Sequence, residues 1–379
     1  MRDFRLETHF AKWEFAAKYH MTASDAESMT IRQLLDLADE PLPEWIEDLW
    51  LGYTETTGAP DLRRAIASTY DNTASDNIIC FAGAEEAIYA AMRVLLSKDD
   101  HAIVVVPNYQ AAETIPLQIC AVTGVLLDPD NAWRLDLDDV RQAIRPNTKL
   151  ISINFPNNPT GAIMPADDYA SLISLCREYG LYLFSDEVFR LLELDESKRI
   201  PQAVDIYERS LSLNVMSKAY GLPGLRIGWL ASQDKKLLSK IERYKHYLSI
   251  CNSAPSERLA VFALGVRDKI LARNRGLIRR NLSVLDQFFS DYSDLFDWYH
   301  PDGSCVAFPR YIGKGGIETL CETLVNESGV LLLPASVYHS ELMETPQDRF
   351  RIGFGRANMG DGIAAFRGFL DRKHDILAA

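Results

Sequence analysis

Long apolar runs are missing from this chain, which excludes a membrane-spanning helix. The longest purely aliphatic run is AIVVV at 102–106, whereas a helix that crosses a bilayer needs roughly 20 apolar residues. The opening residues MRDFRLETHFAKWEF are interrupted by charges and do not form the apolar core of a targeting peptide. We therefore expect no membrane partner and a cytoplasmic location.

Positive charge is also in short supply. The chain has 40 lysine and arginine residues against 53 aspartate and glutamate residues, which gives a formal net charge of −13 and a pI of about 5.1. No overall basic field is available to hold nucleic acid or an anionic surface, so we expect no nucleic-acid partner. The 379 residues are enough for two domains, or for one large domain with an appended lobe.

Cysteine and histidine lack the spacing of disulfide frameworks and metal sites. The six cysteines, at positions 80, 120, 176, 251, 305 and 321, include no close pair, and the seven histidines include no HExxH-like pattern. Disulfide frameworks and zinc centres normally use closely spaced ligands. We therefore predict free, buried thiols and no metal.

What the chain does have is a series of short apolar runs that alternate with amphipathic helical stretches. The runs are NIICF, AIVVV, TGVLL, KLISIN, LYLFS, SLSLNV and IGWLA. Such alternation is typical of βαβ units and of a mainly parallel sheet that is buried on both faces. Ligands of these sheets lie at the carboxyl ends of the strands. A charged helical region at about 234–290 leads to a C-terminal part whose runs VLLLP and FRIGFG indicate a small α/β lobe.

Two helix starts are predicted in the first part of the chain. In TASDAESM, Ser24 or Asp25 is a residue type that caps a following helix. In TETTGAPDLRRAIASTY, Pro60 suits a first helical position, with an acidic residue directly after it. The sequence therefore predicts one helix after Asp25 and another from about Pro60.

The stretch LNVMSKAYGLPGLRIGWL at 213–230 carries a reactive amine beside two groups that bind phosphate. Lys218 directly follows Ser217, and Arg226 comes after a turn with glycine and proline. A lysine amine forms a Schiff base with an aldehyde, while a serine hydroxyl and an arginine guanidinium hold a phosphate. Pyridoxal phosphate (PLP), which carries both an aldehyde and a phosphate, is the biological molecule that fits this grouping.

Two upstream strings suit the same cofactor. In NFPNNPTG, Asn158 precedes a proline, and its amide can donate to the phenolic oxygen of PLP. The run LYLFS ends at Asp186, whose carboxylate can pair with the pyridine nitrogen, keep it protonated and make the ring an electron sink. With these three strings, the chain resembles the class I/II aminotransferases of PLP fold type I over about residues 45–360.

The resemblance implies an α/β fold of PLP fold type I, with a mainly parallel seven-stranded sheet between helices in a large domain, and a small α/β domain. Residues 45–275 are then the large PLP-binding domain, and residues 1–44 and 276–379 are the N-terminal arm and the small C-terminal domain. The implied activity is amino transfer between an L-amino acid and a 2-oxo acid. Lys218 first holds PLP as a Schiff base and then acts as the general base for the α-proton.

The resemblance also implies further contacts to PLP. Tyr109 stacks on the pyridine ring, and the backbone N–H groups of Ala84 and Glu85, at a helix start after NIICF, bind the phosphate. The side chain of Glu85 is expected to have no part in this, since a carboxylate beside a phosphate is repulsive. Tyr53 matches a tyrosine that reaches the phosphate in the other subunit, which implies a homodimer with shared active sites.

Substrate recognition is assigned, by the same resemblance, to Arg351 and Asn158. Arg351, within FRIGFG, matches the arginine that pairs with the substrate carboxylate, and an arginine in an apolar strand is costly to bury without an anionic partner. The chain departs from the family at Phe189, where the usual residue is a tyrosine that bonds the phenolic oxygen. Asn158 then holds that oxygen alone, which raises the pKa of the Lys218 Schiff base.

The N-terminal arm leaves an alternative open. Phe10 and Trp13 lie at helical spacing with Glu14 beside them, either as packing of the arm on the body or as part of the active site. Trp13, Glu14, Asp25 and the phenylalanine at Phe189 resemble the pattern of PLP- and oxygen-dependent arginine oxidases of this fold. Glu14 and Asp25 would then bind a guanidinium. Glu27, where the hydroxylating members have a histidine, argues against hydroxylation.

Two further alternatives concern the reaction and the class of protein. A β-eliminating lyase shares the same site, since reaction choice depends on side-chain contacts that a sequence does not reveal. A PLP-fold regulator of transcription carries a DNA-binding domain ahead of the fold. The 44 residues before Trp45 are too few for such a domain, and the acidic balance of the chain argues the same way.

Overall fold

The computed structural model describes residues 2–38 and 48–378. In these ranges the helices are α1 (Arg5–Trp13), α2 (Ile31–Asp36), α3 (Pro60–Ala67), α4 (Ala84–Leu95), α5 (Ala111–Leu117), α6 (Leu137–Ala143), α7 (Ala166–Tyr179), α8 (Ala203–Ile206), α9 (Lys235–Lys245), α10 (Ala254–Gly265), α11 (Arg267–Asp291), α12 (Gly316–Ser328) and α13 (Met359–Leu377). The strands are β1 (Tyr19–His20), β2 (Ile78–Phe81), β3 (His101–Val106), β4 (Ala121–Leu126), β5 (Thr148–Asn154), β6 (Tyr182–Asp186), β7 (Ser210–Val215), β8 (Gly228–Ala231), β9 (Phe296–Asp297), β10 (Val306–Ala307), β11 (Arg310–Tyr311), β12 (Val330–Leu331), β13 (Leu333–Pro334) and β14 (Phe350–Gly353).

Strands β2 to β8 form one seven-stranded sheet in the order β2-β8-β7-β6-β5-β3-β4. The strand pairs from β4 to β7 are parallel, whereas β8 runs antiparallel to both of its neighbours. These strands coincide with the seven apolar runs of the sequence. The predicted α/β fold with a mainly parallel, seven-stranded sheet is therefore confirmed.

Alternate residues of the central strands pack on opposite faces of this sheet. In β5, Leu150 belongs to the core that includes residues of α4 and α9, whereas Ile151 and Ile153 belong to the core that includes residues of α6 and α7. All three side chains are at most 2% exposed. Because helices cover both faces, neither face needs polar side chains, and the strands are continuous apolar runs in the sequence.

The C-terminal part forms smaller sheets next to α12 and α13. Strand β14 lies between β10 and β13 in an antiparallel sheet, and β1 of the N-terminal arm pairs in parallel with β12. The predicted division at 275/276 falls within α11, which runs without interruption from Arg267 to Asp291. The start of the large domain at Trp45 lies outside the described residues, and the domain division stays a prediction.

Of the two predicted helix starts, one is confirmed and one is wrong. Helix α3 begins at Pro60. Helix α2 begins later than predicted because Thr30 provides the cap. Its Oγ1 accepts from the N–H of Gln33, and the Gln33 side chain accepts from the N–H of Thr30. Ser24 and Asp25 precede this cap and instead line the cavity described below.

The structure bears on the absences noted in the sequence. Over residues 2–38 and 48–378, no helix is long and apolar enough to cross a membrane. In the same ranges, no group of three or more His, Cys, Asp or Glu side chains is arranged to hold a metal ion. All six cysteines are unpaired, and Cys80, Cys176, Cys305 and Cys321 are buried.

Candidate active site

A cavity of about 390 Å³ is formed by strand ends, the N-terminal arm and β14. Most of the residues that the sequence singles out line it: Glu14, Asp25, Ala84, Glu85, Tyr109, Asn158, Asp186, Phe189, Ser217, Lys218, Arg226 and Arg351. Several of these residues end or follow β2, β5, β6 and β7, whose carboxyl ends meet at one edge of the sheet. The arrangement of strands therefore brings together residues that are far apart in the sequence.

Lys218 follows β7 and presents its amine to the cavity. Nζ donates to Oγ of Ser24 at 2.7 Å and lies 5.6 Å from the centre of the Phe189 ring. Burial lowers the pKa of the amine, and the nearby Arg351 acts in the same direction while Asp25 opposes it. A lowered pKa keeps more of the amine neutral, and the neutral amine is both the nucleophile for an aldehyde and a base for a proton.

Asp186 ends β6 and is 8% exposed. Burial raises the pKa of its carboxyl to about 7, although the N–H of Val188 donates to Oδ1 at 3.1 Å and Lys218 favours the charged form. A carboxyl that is this costly to ionise needs a cationic partner. The protonated pyridine nitrogen of PLP is such a partner, so this residue fits the role predicted for it.

The start of α4 and the guanidinium of Arg226 form a cradle for an anion. The first N–H groups of a helix, here those of Ala84 and Glu85, have no partner within the helix and lie at its positive end. A Cβ on Gly83 would lie 2.4 Å from Nη2 of Arg226, and a Cβ on Gly228 would lie 2.8 Å from the nitrogen of Ala84. Glycine at both positions lets these donors approach each other, and the cradle fits the phosphate of PLP.

Arg351, in β14, is 1% exposed. Its Nη1 donates to Oδ1 of Asn158 at 3.1 Å, and its Nη2 donates to the carbonyl of Thr22 at 2.8 Å. Both acceptors are uncharged, and Nε is buried without a partner among residues 2–38 and 48–378. A buried guanidinium in this state fits a substrate carboxylate. Since Oδ1 of Asn158 is taken, its amide nitrogen remains to donate to a ligand.

Glu85 and Tyr109 line the cavity as a pair. The hydroxyl of Tyr109 lowers the pKa of the Glu85 carboxyl and so favours its charged form, and the centre of the Tyr109 ring lies 5.2 Å from that of Phe4 in the arm. Burial raises the pKa of Glu85 to about 7, and the carboxylates of Glu7 and Asp186 add to the rise. Oε2 of Glu85 is buried and has no partner in the described part of the chain. The side chain thus belongs to the cavity, whereas the sequence indicated a role for the backbone alone.

The N-terminal arm closes one side of the cavity. Its helix α1 and the next residue contribute Leu6, Glu7, Phe10 and Glu14. Gln110 anchors the arm, because its Oε1 accepts from the N–H of Arg5 at 2.9 Å and its Nε2 donates to the carbonyl of Asp3 at 2.7 Å. Burial raises the pKa of Glu14, and the negative charge of Glu7 raises it further.

Asp25 lines the cavity, but its carboxylate already has a cationic partner. Nη2 of Arg356 lies 2.9 and 2.8 Å from the two oxygens of Asp25. The carboxylate of Glu27 makes a different contact, in which Oε2 accepts a hydrogen bond from the N–H of Ala357 at 2.7 Å. Asp25 therefore reaches the place that the sequence predicts, with its charge balanced by this arginine.

Two predicted residues do not line the cavity. Trp13 borders a separate hollow between α1 and α12, where Nζ of Lys12 lies 4.6 Å from the centre of its ring. This position fits the interpretation of the arm as packing. Tyr53 is 90% exposed. Its role across a subunit interface stays a prediction.

Sequence reasoning missed Arg356, which pairs with Asp25, and four further polar residues of the cavity, namely Glu7, His20, Ser24 and Asn154. Nδ2 of Asn154 donates to the carbonyl of Asp186 at 3.1 Å, and its Oδ1 accepts from the N–H of Asn158 at 2.8 Å. A signal for Asn154 was present, because it ends the run KLISIN directly before NFPNNPTG. The other three had no such signal, since their positions depend on how the arm folds back over the sheet.

The chain is similar in sequence and in structure to known PLP-dependent proteins. A family model described as aminotransferase class I and II matches residues 20–362. Capreomycidine synthase of Streptomyces vinaceus is 30% identical over 365 residues, which cover 95% of this chain and 92% of the synthase. A PLP-dependent aminotransferase from Streptococcus suis matches 98% of both chains with a TM-score of 0.92 and 29% identity. The PLP-dependent cyclase OrfR matches 98% of both chains with a TM-score of 0.89 at 22% identity, which shows a shared fold.

Proposed function

The chain belongs to the class I and II aminotransferase family, whose cofactor is PLP, and we propose that it transfers the amino group of an L-amino acid to a 2-oxo acid. The observation that carries the proposal is the buried amine of Lys218, with its lowered pKa, on a cavity that Asp186 and Arg351 also line. When bound, PLP supplies an aldehyde and an electron-withdrawing ring.

The side chains of the cavity supply binding, orientation and proton transfer. Arg351 holds the substrate carboxylate through two parallel hydrogen bonds and so fixes the α-carbon. The Nζ of Lys218 takes the proton from that carbon and would deliver a proton to the carbon that came from the aldehyde of PLP, and Ser24 accepts a hydrogen bond from the same amine. Asp186 provides the negative charge that keeps the pyridine nitrogen protonated. A 2-oxo acid leaves, and a second 2-oxo acid receives the amino group.

Oxidation of a cationic amino acid by dioxygen is the second candidate, and the position of Glu14 at the cavity favours it. In its simplest form, two electrons and two protons pass from the amino acid to dioxygen, which leaves as hydrogen peroxide. No 2-oxo acid acceptor takes part. Relatives named as a synthase and a cyclase indicate that similar chains direct the substrate to different fates.

An oxygen electrode separates the two candidates. The purified holoenzyme is incubated with each common L-amino acid, with and without pyruvate or 2-oxoglutarate, and oxygen and keto products are followed together. We expect product formation that requires the acceptor, without oxygen uptake, and none with Lys218→Ala. Stoichiometric oxygen consumption with L-arginine alone contradicts amino transfer and supports oxidation.

We also propose a homodimer that shares its active sites. Tyr53, Trp50 and Leu51 are 90%, 81% and 78% exposed, and an apolar, aromatic surface of this kind suits a protein interface. If the Tyr53 hydroxyl reaches the phosphate of the partner, Tyr53→Phe loses a hydrogen bond to a charged group, about 1.5–3 kcal/mol of PLP affinity. Tyr179→Phe on α7 is the matched control.

Sedimentation velocity and PLP titration check the proposal together. We expect dimers for the wild type and for both variants, with weakened PLP retention in Tyr53→Phe alone. A monomer that retains PLP as well as the wild type rules out shared sites.

A further inference from the structure

We propose that Glu85, with Glu7 and Glu14, forms a subsite that selects amino acids with a positively charged side chain. This inference rests on the proposed function, because it assigns a substrate class to the same cavity. With PLP and Arg351 accounting for the α-amino and carboxylate ends of the substrate, the side chain is left to face the rest of the cavity. We call the three glutamates the acidic wall.

The other charges of the cavity are matched without the substrate side chain. Asp186 pairs with the pyridine nitrogen, Arg226 with the phosphate, and Arg351 with the substrate carboxylate. Asp25 is paired with Arg356 at 2.8 Å. What remains after these pairs is negative charge, and it belongs to the acidic wall.

Within residues 2–38 and 48–378, none of the three carboxylates of the acidic wall forms an ion pair, although Arg356, which is paired with Asp25, lowers the pKa of Glu14. Glu7 raises the pKa of both Glu14 and Glu85, which is the effect of one negative charge on another. His20 also lines the cavity, and burial lowers its pKa, so it is neutral at pH 7. A cation in the cavity relieves this repulsion, whereas an anion adds to it.

Glu85 is the member of the acidic wall with most to gain from a cation. Its Oε2 is buried with no partner in residues 2–38 and 48–378, and the Tyr109 hydroxyl favours the charged form of the carboxyl. An ionised carboxylate that is buried without a partner is strongly destabilised, and a guanidinium or ammonium group offsets that cost. A neutral side chain leaves the carboxylate unpaired.

The lining around the acidic wall suits the stem of such a side chain. Leu6 and Phe10 of α1 and Ile88 of α4 are apolar residues of the same cavity. Lysine and arginine bury their methylene stems on apolar surface while the charged end meets a polar group. The cavity therefore combines an apolar passage with carboxylates, which matches a long cationic side chain.

Two pairs of probes differ mainly in charge and test the subsite. L-arginine is compared with L-citrulline, and L-lysine with L-norleucine, by kcat/KM of the holoenzyme. Binding to borohydride-reduced holoenzyme, which cannot react, is measured by calorimetry. The variants are Glu85→Gln, which keeps the shape, and Glu85→Lys, which reverses the charge; Glu178→Gln on the exposed face of α7 is the control.

We expect the wild type to favour the cationic member of each pair. Glu85→Gln should lower the arginine-to-citrulline ratio at least tenfold in both rate and binding, with citrulline itself changed less than about threefold. Glu85→Lys should shift the preference towards L-glutamate. Equal ratios in the wild type and Glu85→Gln overturn the inference, as does a wild-type preference for citrulline, norleucine or glutamate. If charge discrimination in binding is intact but no amino transfer occurs, the proposed function fails and the subsite stands.

Discussion

The residues on the strand side of the cavity and those of the acidic wall differ in how their charges are balanced. We call Asn158, Asp186, Lys218, Arg226 and Arg351 the cavity floor; the cofactor and the α-amino and carboxylate groups of the substrate satisfy their charges and polar groups. The acidic wall has no such fixed partner. The floor also comes from strand ends and β14, whereas two of the three wall residues belong to the N-terminal arm.

This difference separates what the site needs for its chemistry from what it needs to choose a substrate. Every α-amino acid has the same amino and carboxylate groups, so the floor cannot discriminate between side chains. Discrimination falls to residues that the side chain meets, and a difference of about 1.4 kcal/mol in those contacts changes selectivity tenfold. Variants of the floor should therefore affect all substrates alike, and variants of the wall should change their ranking.

The largest effect is expected from Asp186→Asn in the floor. The amide cannot balance a protonated pyridine nitrogen, and loss of one partner of a buried pair costs about 3–5 kcal/mol, or roughly 10²- to 10⁴-fold in kcat. Every amino acid should be slowed by the same factor. Steady-state kinetics with arginine and citrulline check this, with the exposed Asp297→Asn as the control. A decrease in kcat for arginine but not for citrulline would contradict the claim that the floor acts on all substrates alike.

Arg351→Lys should have the next largest effect. An ammonium cannot make the paired hydrogen bonds of a guanidinium to the substrate carboxylate. The transition state should lose about 2–5 kcal/mol of stabilisation, which lowers kcat/KM. The visible spectrum of bound PLP should stay unchanged, since the cofactor contacts are elsewhere in the floor. The exposed Arg310, paired with Asp348 at 2.6 Å, provides the control variant Arg310→Lys. Normal kcat/KM with lost PLP absorbance would contradict the assigned role.

The preference for cationic substrates should depend on pH, because the Glu85 carboxyl binds a cation only when it is ionised. Burial raises its pKa to about 7, the negative charges of Glu7 and Asp186 add to the rise, and the Tyr109 hydroxyl opposes it. The carboxyl is therefore largely neutral at pH 6 and ionised at pH 8. Arginine stays cationic throughout. The arginine-to-citrulline ratio of kcat/KM should therefore rise by up to about tenfold over that range. The same titration of Glu85→Gln should be flat, and a falling ratio in the wild type would contradict the assignment.

The smallest effect is expected from loosening the arm. Gln110→Ala removes both hydrogen bonds that anchor Asp3 and Arg5, each worth about 0.5–1.5 kcal/mol. KM for arginine should rise several-fold, while kcat and the PLP spectrum should change little. Gln118→Ala, at the exposed end of α5, is the control. An unchanged KM would show that the arm stays in place without this anchor.

The sequence predicted the sheet and the floor well because both are local patterns. Seven apolar runs became the seven strands, and Asp186 and Lys218 end or follow strands whose order brings them to one edge. The capping prediction at Ser24 and Asp25 was wrong because Thr30 caps the helix instead. Thr30 and Gln33 form reciprocal hydrogen bonds, and the helix begins at Ile31. The hydroxyl oxygen of Ser24 instead accepts a hydrogen bond from the amine of Lys218.

The wall was harder to predict because its geometry is set by long-range contacts. Glu7 comes to the cavity only when the arm is folded back and anchored by Gln110. The Glu85 side chain was set aside because a carboxylate beside a phosphate is repulsive, and that argument did not include the Tyr109 hydroxyl, which favours the charged form of the carboxyl. Neither contact has a sequence pattern of its own.

The most direct test of the account is the identity of the lysine that holds PLP. Lys218 and Lys245 both have a pKa lowered by burial, but the amine of Lys245 donates to the carbonyl of Thr56 at 2.8 Å and does not line the cavity. Borohydride reduction of the holoenzyme, followed by peptide mass mapping, fixes the cofactor where it is bound. We predict the added mass on the peptide that contains Lys218; its appearance on Lys245 or any other lysine contradicts the assignment of the floor.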